Sequence, residues 1–133
     1  MCYKVRRSMN VAQLFIVTAV IESVAGLTLL VAPAVFIRLL FGSAVDVFPA
    51  AGVARLTGAA LLSLGAACWW ARHEERSAAS RALVGGMLIY NATVVALVIA
   101  GALGALGPLQ WAAVVLHGAL AIWCAWVVAN RRR

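Results

Sequence analysis

The sequence predicts an all-α integral membrane protein: a four-helix bundle with a short interfacial helix between helices 1 and 2. Three observations carry this. Of 133 residues, 65% are hydrophobic and 11% charged, with a mean hydropathy of +1.02, more apolar surface than a water-soluble globule of this length can bury. Four apolar runs each reach the length, about 20 residues, that a helix needs to cross a hydrocarbon core roughly 30 Å thick. The basic residues stand at the ends of those runs and not within them.

The first run covers approximately 10–32 and follows Lys4, Arg6 and Arg7. A basic start before an apolar run is also the pattern of a signal peptide. This run is too long for one, however, and Val31-Ala32-Pro33 is a poor cleavage site, so a retained helix is expected. The segment 33–42 is too short to span. Its apolar residues and the single Arg38 suit a helix lying in the outer interface, ended by Gly42 and followed by a turn at 43–46. Pro49 then opens the second span, 49–71, as the first helical residue. A loop at 72–81 carries Arg72, Arg76 and Arg81 and leads to the third span, 82–103. The glycines and proline of 104–108 make a tight turn that sets the fourth span, 109–129, antiparallel to the third. All four runs are rich in Leu and Ala and lack the alternation of a barrel strand, so helices are expected. The chain reads as one membrane domain, 1–133.

Nine of the eleven basic residues fall in the N-terminal segment, the 72–81 loop and the C-terminal segment, which a four-pass chain places on one side. The positive-inside rule makes that side cytoplasmic, together with both ends of the chain. The tryptophans agree: Trp69, Trp70, Trp123 and Trp126 lie near the inner ends of the second and fourth spans, and Trp111 near the outer end of the fourth. The terminal arginines 131–133 suit anionic headgroups.

The same placement excludes nucleic acid as a partner despite a net charge of +7, because a binding face would interleave basic and polar residues along one surface. Cys2, Cys68 and Cys124 form neither a CxxC motif nor a cluster with histidine. No metal site follows, and free thiols are expected in a reducing compartment. No haem, flavin or other cofactor signature is present. Small residues mark surfaces where helices approach closely: Ala51, Ala54, Gly58 and Gly65 on the second span, and Gly85, Gly86 and Gly101 on the third.

Polar groups in hydrocarbon are costly and invite a functional reading. Each span carries one: Glu22, Arg55, Asn91 and His117. Counted at 1.5 Å per residue, Glu22 lies roughly 12 Å from the outer boundary, Arg55 roughly 9 to 10 Å, His117 roughly 12 Å and Asn91 roughly 16 Å, so all four fall in the outer half of the membrane. Thr18, Glu22 and Gly26 repeat every four residues; Arg55, Gly58 and Gly65 share a side; Gln110, His117 and Cys124 form a stripe. The expectation is a Glu22–Arg55 ion pair across the bundle, completed by Asn91 and His117, with Tyr90 and Thr18 as outer members. Such a layer is either a clamp that fixes helix register or a site for a ligand or reaction. In a reacting site Glu22 and His117 are the proton carriers. Asn91-Ala92-Thr93 matches a glycosylation sequon but lies mid-membrane.

The leading functional expectation is an outer-leaflet pocket for an apolar molecule with a polar head, a quinone or a lipid, with no enzymatic step assigned. The four-pass layout and the stretch Arg55-Leu56-Thr57-Gly58-Ala59-Ala60-Leu61-Leu62-Ser63-Leu64-Gly65 resemble small bacterial DoxX-like membrane proteins, although the first span lacks the arginine and lysine that the family often carries. The resemblance implies a bacterial inner-membrane location and an accessory role in a quinone-linked membrane complex, so complex subunits or a second copy of the chain join the lipid bilayer as expected partners. One alternative is a proton-coupled small-molecule exporter, since a lone glutamate in the first of four spans resembles small multidrug exporters. The strong charge bias and a nearby Arg55 argue against it. The other alternative is a structural or assembly subunit without a ligand.

Overall fold

The computed structural model describes residues 2–41, 47–74, 77–101 and 107–131. Among these the chain is all-helical: α1 (Cys2–Val31), α2 (Pro33–Phe41), α3 (Val47–Ala71), α4 (Ala78–Ala100) and α5 (Pro108–Arg131). Four are long and apolar enough to cross a membrane, at Val11–Val31, Ala50–Ala71, Ala78–Ala100 and Pro108–Asn130, the length and composition of a multi-pass membrane protein. With nine residues, α2 is about 13 Å long, less than half the hydrocarbon thickness.

Helix ends differ from expectation where capping overrides hydropathy. α1 runs back to Cys2, because a helix continues through polar residues once its apolar part is nucleated. α3 begins at Val47, so Pro49 falls within its first turn, where a missing N–H costs no hydrogen bond. α4 begins four residues before the expected position because Ser77 caps it: the Ser77 hydroxyl accepts from the Ser80 N–H at 3.0 Å. Arg81 therefore belongs to the helix and not to the loop. α5 starts at Pro108, and the Gln110 side chain reaches back to accept from the Gly107 N–H at 2.9 Å, the glutamine half of a capping box with proline in the first position. The expected stop at Gly42, the turn at 43–46 and most of the 104–108 turn lie outside the described residues.

The chain divides into two compact units. In the unit Phe15–Arg72, α1 and α3 cross at two glycines. A Cβ on Gly26 would stand 2.7 Å from the Gly58 carbonyl oxygen, and a Cβ on Gly58 the same distance from the Gly26 oxygen. Only glycine lets the two backbones approach this closely. Two turns further along α3, Gly65 accommodates the Ser23 side chain and the Ala19 carbonyl. The buried face of α3 is Ala54, Gly58, Leu61, Gly65 and Cys68, alternating by four and three residues as an apolar stripe does. α2 packs on α3 with Pro33 and Ile37 buried, and turns Val35 and Leu39 outward beside Arg38.

The second unit combines Met1–Leu14 with His73–Arg133, and its main feature is the α4–α5 pair. Buried residues of α4 are Ser80, Val84, Met87 and Asn91; those of α5 are Leu120, Cys124 and Val127, with His117 half-buried on the same stripe. Both follow the four-three spacing of a helical seam. Three glycines of this pair behave unlike Gly58 and Gly65 of α3. A Cβ on Gly85, Gly86 or Gly118 would meet nothing within 4 Å, so of the close contacts expected at Gly85 and Gly86, within the chain or with a partner, none is made by them within the chain among the described residues. Gly101 is the C-cap of α4, its N–H bonded to the Leu97 carbonyl at 2.8 Å.

Candidate functional site

Asn91 and His117 meet because their helices are in register. Asn91 precedes the end of α4 at Ala100 by nine residues, and His117 follows the start of α5 at Pro108 by nine. In an antiparallel pair both therefore sit about 13 Å from the shared end. The contact is direct: His117 Nδ1 lies 2.7 Å from Asn91 Oδ1. Asn91 is 0% exposed, and its Nδ2 donates to the Met87 carbonyl one turn back, at 2.8 Å. Both ends of the buried amide are thus used, as a polar group in this environment requires. Tyr90 stands edge-on to the imidazole, with ring centroids 5.7 Å apart and planes at 85°, a favourable quadrupolar arrangement. Three of the six residues expected to form the site are brought together, all in one unit.

Thr18 and Glu22 belong to the other unit. One turn apart on α1, they are 0% and 1% exposed. The hydroxyls of Thr28, Thr57 and Ser63 bond carbonyls of their own helices at 2.8 to 2.9 Å. Thr18 Oγ1 has no such partner among the described residues.

Arg55 departs from expectation. Its side chain is exposed while Glu22 is buried. Two physical reasons account for this. Arg55 follows buried Ala54 by one residue, a rotation of about 100° off the packed stripe. The Gly26–Gly58 crossing also sets the axial register: Glu22, four residues before Gly26, is level with position 62 of the antiparallel helix, and Arg55 is seven residues from that level, about 10 Å away. At that register Glu22 is buried and Arg55 exposed.

The Gln110 side chain caps α5. Cys68 and Cys124 are buried thiols. At the end of α3, Arg72 folds back onto Trp69: the guanidinium donates to the Trp69 carbonyl and lies 4.0 Å from the indole centroid, a cation–π contact. Among the described residues no group of three His, Cys, Asp or Glu could hold a metal.

One participant carries no side-chain signal in the sequence. The Met87 carbonyl orients Asn91, and only its i−4 position relative to a buried asparagine marks it. Chemically, the Asn91–His117 pair offers one imidazole nitrogen, Nε2, held in a fixed direction. Among the described residues the only hydrogen bond of that ring is at Nδ1. Comparison with protein-family models, with curated proteins and with solved structures finds no match for this chain.

Proposed function

We propose that this chain is a bacterial inner-membrane protein with cytoplasmic termini that binds a quinone- or lipid-like molecule through His117 in the outer half of the membrane, as an accessory subunit of a membrane complex. The observation that supports it is the Asn91–His117 hydrogen bond: a half-buried imidazole with one nitrogen fixed by a buried amide and the other left for a ligand. A polar head held at His117, beside the Tyr90 ring, would have its tail among the apolar side chains that α4 and α5 turn outward, such as Ile89, Val115 and Leu116. The ligand contacts on this reading are His117, Asn91 and Tyr90. The accessory role rests on the resemblance of the 55–65 stretch and the four-pass layout to DoxX-like proteins. α2 would lie in the outer interface, with Val35 and Leu39 toward lipid and Arg38 toward headgroup phosphates.

Native mass spectrometry of protein extracted in mild detergent tests this reading. The wild type is expected to retain an apolar ligand that His117→Ala loses, with the yield of folded protein unchanged. A wild type that carries no ligand, together with a His117→Ala variant that only loses detergent stability, would instead identify the Asn91–His117 bond as a packing clamp.

A further inference from the structure

The direction of each hydrogen bond around Asn91 follows from which atoms can donate. A backbone carbonyl can only accept, so the Asn91 atom 2.8 Å from the Met87 oxygen is the amide nitrogen. The atom facing His117 at 2.7 Å is then the amide oxygen, which also can only accept. The hydrogen between them must therefore be carried by His117 Nδ1. Turning the amide over would set two oxygens against each other at Met87 and leave the fully buried Asn91 without that hydrogen bond. In the neutral ring, which carries a single N–H, that N–H is the one at Nδ1. The lone pair is consequently on Nε2.

We infer that His117 presents a fixed hydrogen-bond acceptor, and that the site selects molecules whose head donates a hydrogen bond, hydroxyl-bearing heads such as a hydroquinone, over the carbonyl form of the same skeleton. The inference rests on the ligand-binding reading above and deepens it. A carbonyl oxygen meeting Nε2 sets acceptor against acceptor and forms no bond, whereas a hydroxyl completes a one-directional chain from ligand O–H to Nε2, from Nδ1–H to Asn91, and from Asn91 N–H to the Met87 carbonyl. Asn91 is here a positioning residue: it acts on the ligand through the tautomer of His117.

Two measurements test this. In ¹⁵N-labelled protein in lipid bilayers, with a His73→Gln variant used to assign the signals, His117 is expected to show a protonated, pyrrole-type Nδ1 and a pyridine-type Nε2. The opposite tautomer, or a doubly protonated ring, overturns the inference. In nanodiscs, a decyl-substituted hydroquinone is expected to bind about tenfold more tightly than its dimethyl ether or the matching benzoquinone, the worth of about one hydrogen bond. In Asn91→Ala, where either tautomer is allowed, the preference should fall toward onefold. Equal wild-type affinity for the three probes overturns the donor selectivity and leaves ligand binding standing. Binding of none of them removes the quinone-like reading and the selectivity with it.

Discussion

A buried asparagine tolerates no half-satisfied state, and Asn91 shows how one residue can join two helices by meeting that demand. Its nitrogen is satisfied within α4 and its oxygen by α5, so removing either partner leaves a polar group exposed only to apolar side chains. Interhelical hydrogen bonds in membranes are worth about 0.6 kcal/mol on average and up to about 1.7. A double-mutant cycle on Asn91→Leu and His117→Leu, read by unfolding in mixed detergent micelles, is therefore expected to give a coupling energy of about 1 kcal/mol. Strict additivity would mean that the two side chains do not bond in the membrane. This contact is legible in the amino-acid sequence, because both residues can be counted from helix ends joined by a short turn. Arg55 is not legible in the same way. Its distance of three residues from Gly58 places it near a packed side, but the buried stripe through Ala54, Leu61 and Cys68 turns it outward, and only the crossing point of α1 and α3 reveals its axial offset from Glu22.

At the scale of the element, the same residue type has opposite consequences on different helices. Gly58 and Gly26 each face backbone oxygen at a distance no real Cβ tolerates, and backbone cannot rotate away as a side chain can. Gly58→Ala is expected to force α1 and α3 apart and lose about 1–3 kcal/mol. Gly86→Ala meets open space and should gain up to about 1 kcal/mol through the lower conformational freedom of alanine in the unfolded chain. Thermal midpoints in one detergent compare the two directly, and a loss of similar size in both would contradict the packing described. Along the chain both glycines stand in equally apolar surroundings. What separates them is which face of each helix meets another, and composition does not record that. Helix starts are hidden for a related reason: Ser77 and Gln110 act through hydrogen bonds to single N–H groups, a signal too local for a hydropathy window of about 20 residues to register.

At the scale of the molecule, the proposed topology, in which all four long apolar helices cross the membrane, would leave both ends of the chain on one side, and the question is which side. Nine basic residues belong to the N-terminal segment, the 72–81 region and the C-terminal segment, which that topology puts together, whereas only Arg38 and Arg55 lie elsewhere. Translocating the larger group would oppose both the positive-inside bias and the membrane potential, which costs about 2.3 kcal/mol per charge for each 100 mV. The exposed Trp69 and Trp70 and the Arg72 guanidinium stacked on Trp69 give the same end of α3 the aromatic and cationic character of a headgroup layer. A fluorescent reporter that matures only in the cytoplasm, fused after Arg133, is therefore expected to light up, and alkaline phosphatase at the same point to stay inactive. Phosphatase inserted at 43–46 should be active. The inverse pattern would reverse the orientation and place the Asn91–His117 pair nearer the inner face, where any bound head group would approach from the cytoplasmic leaflet.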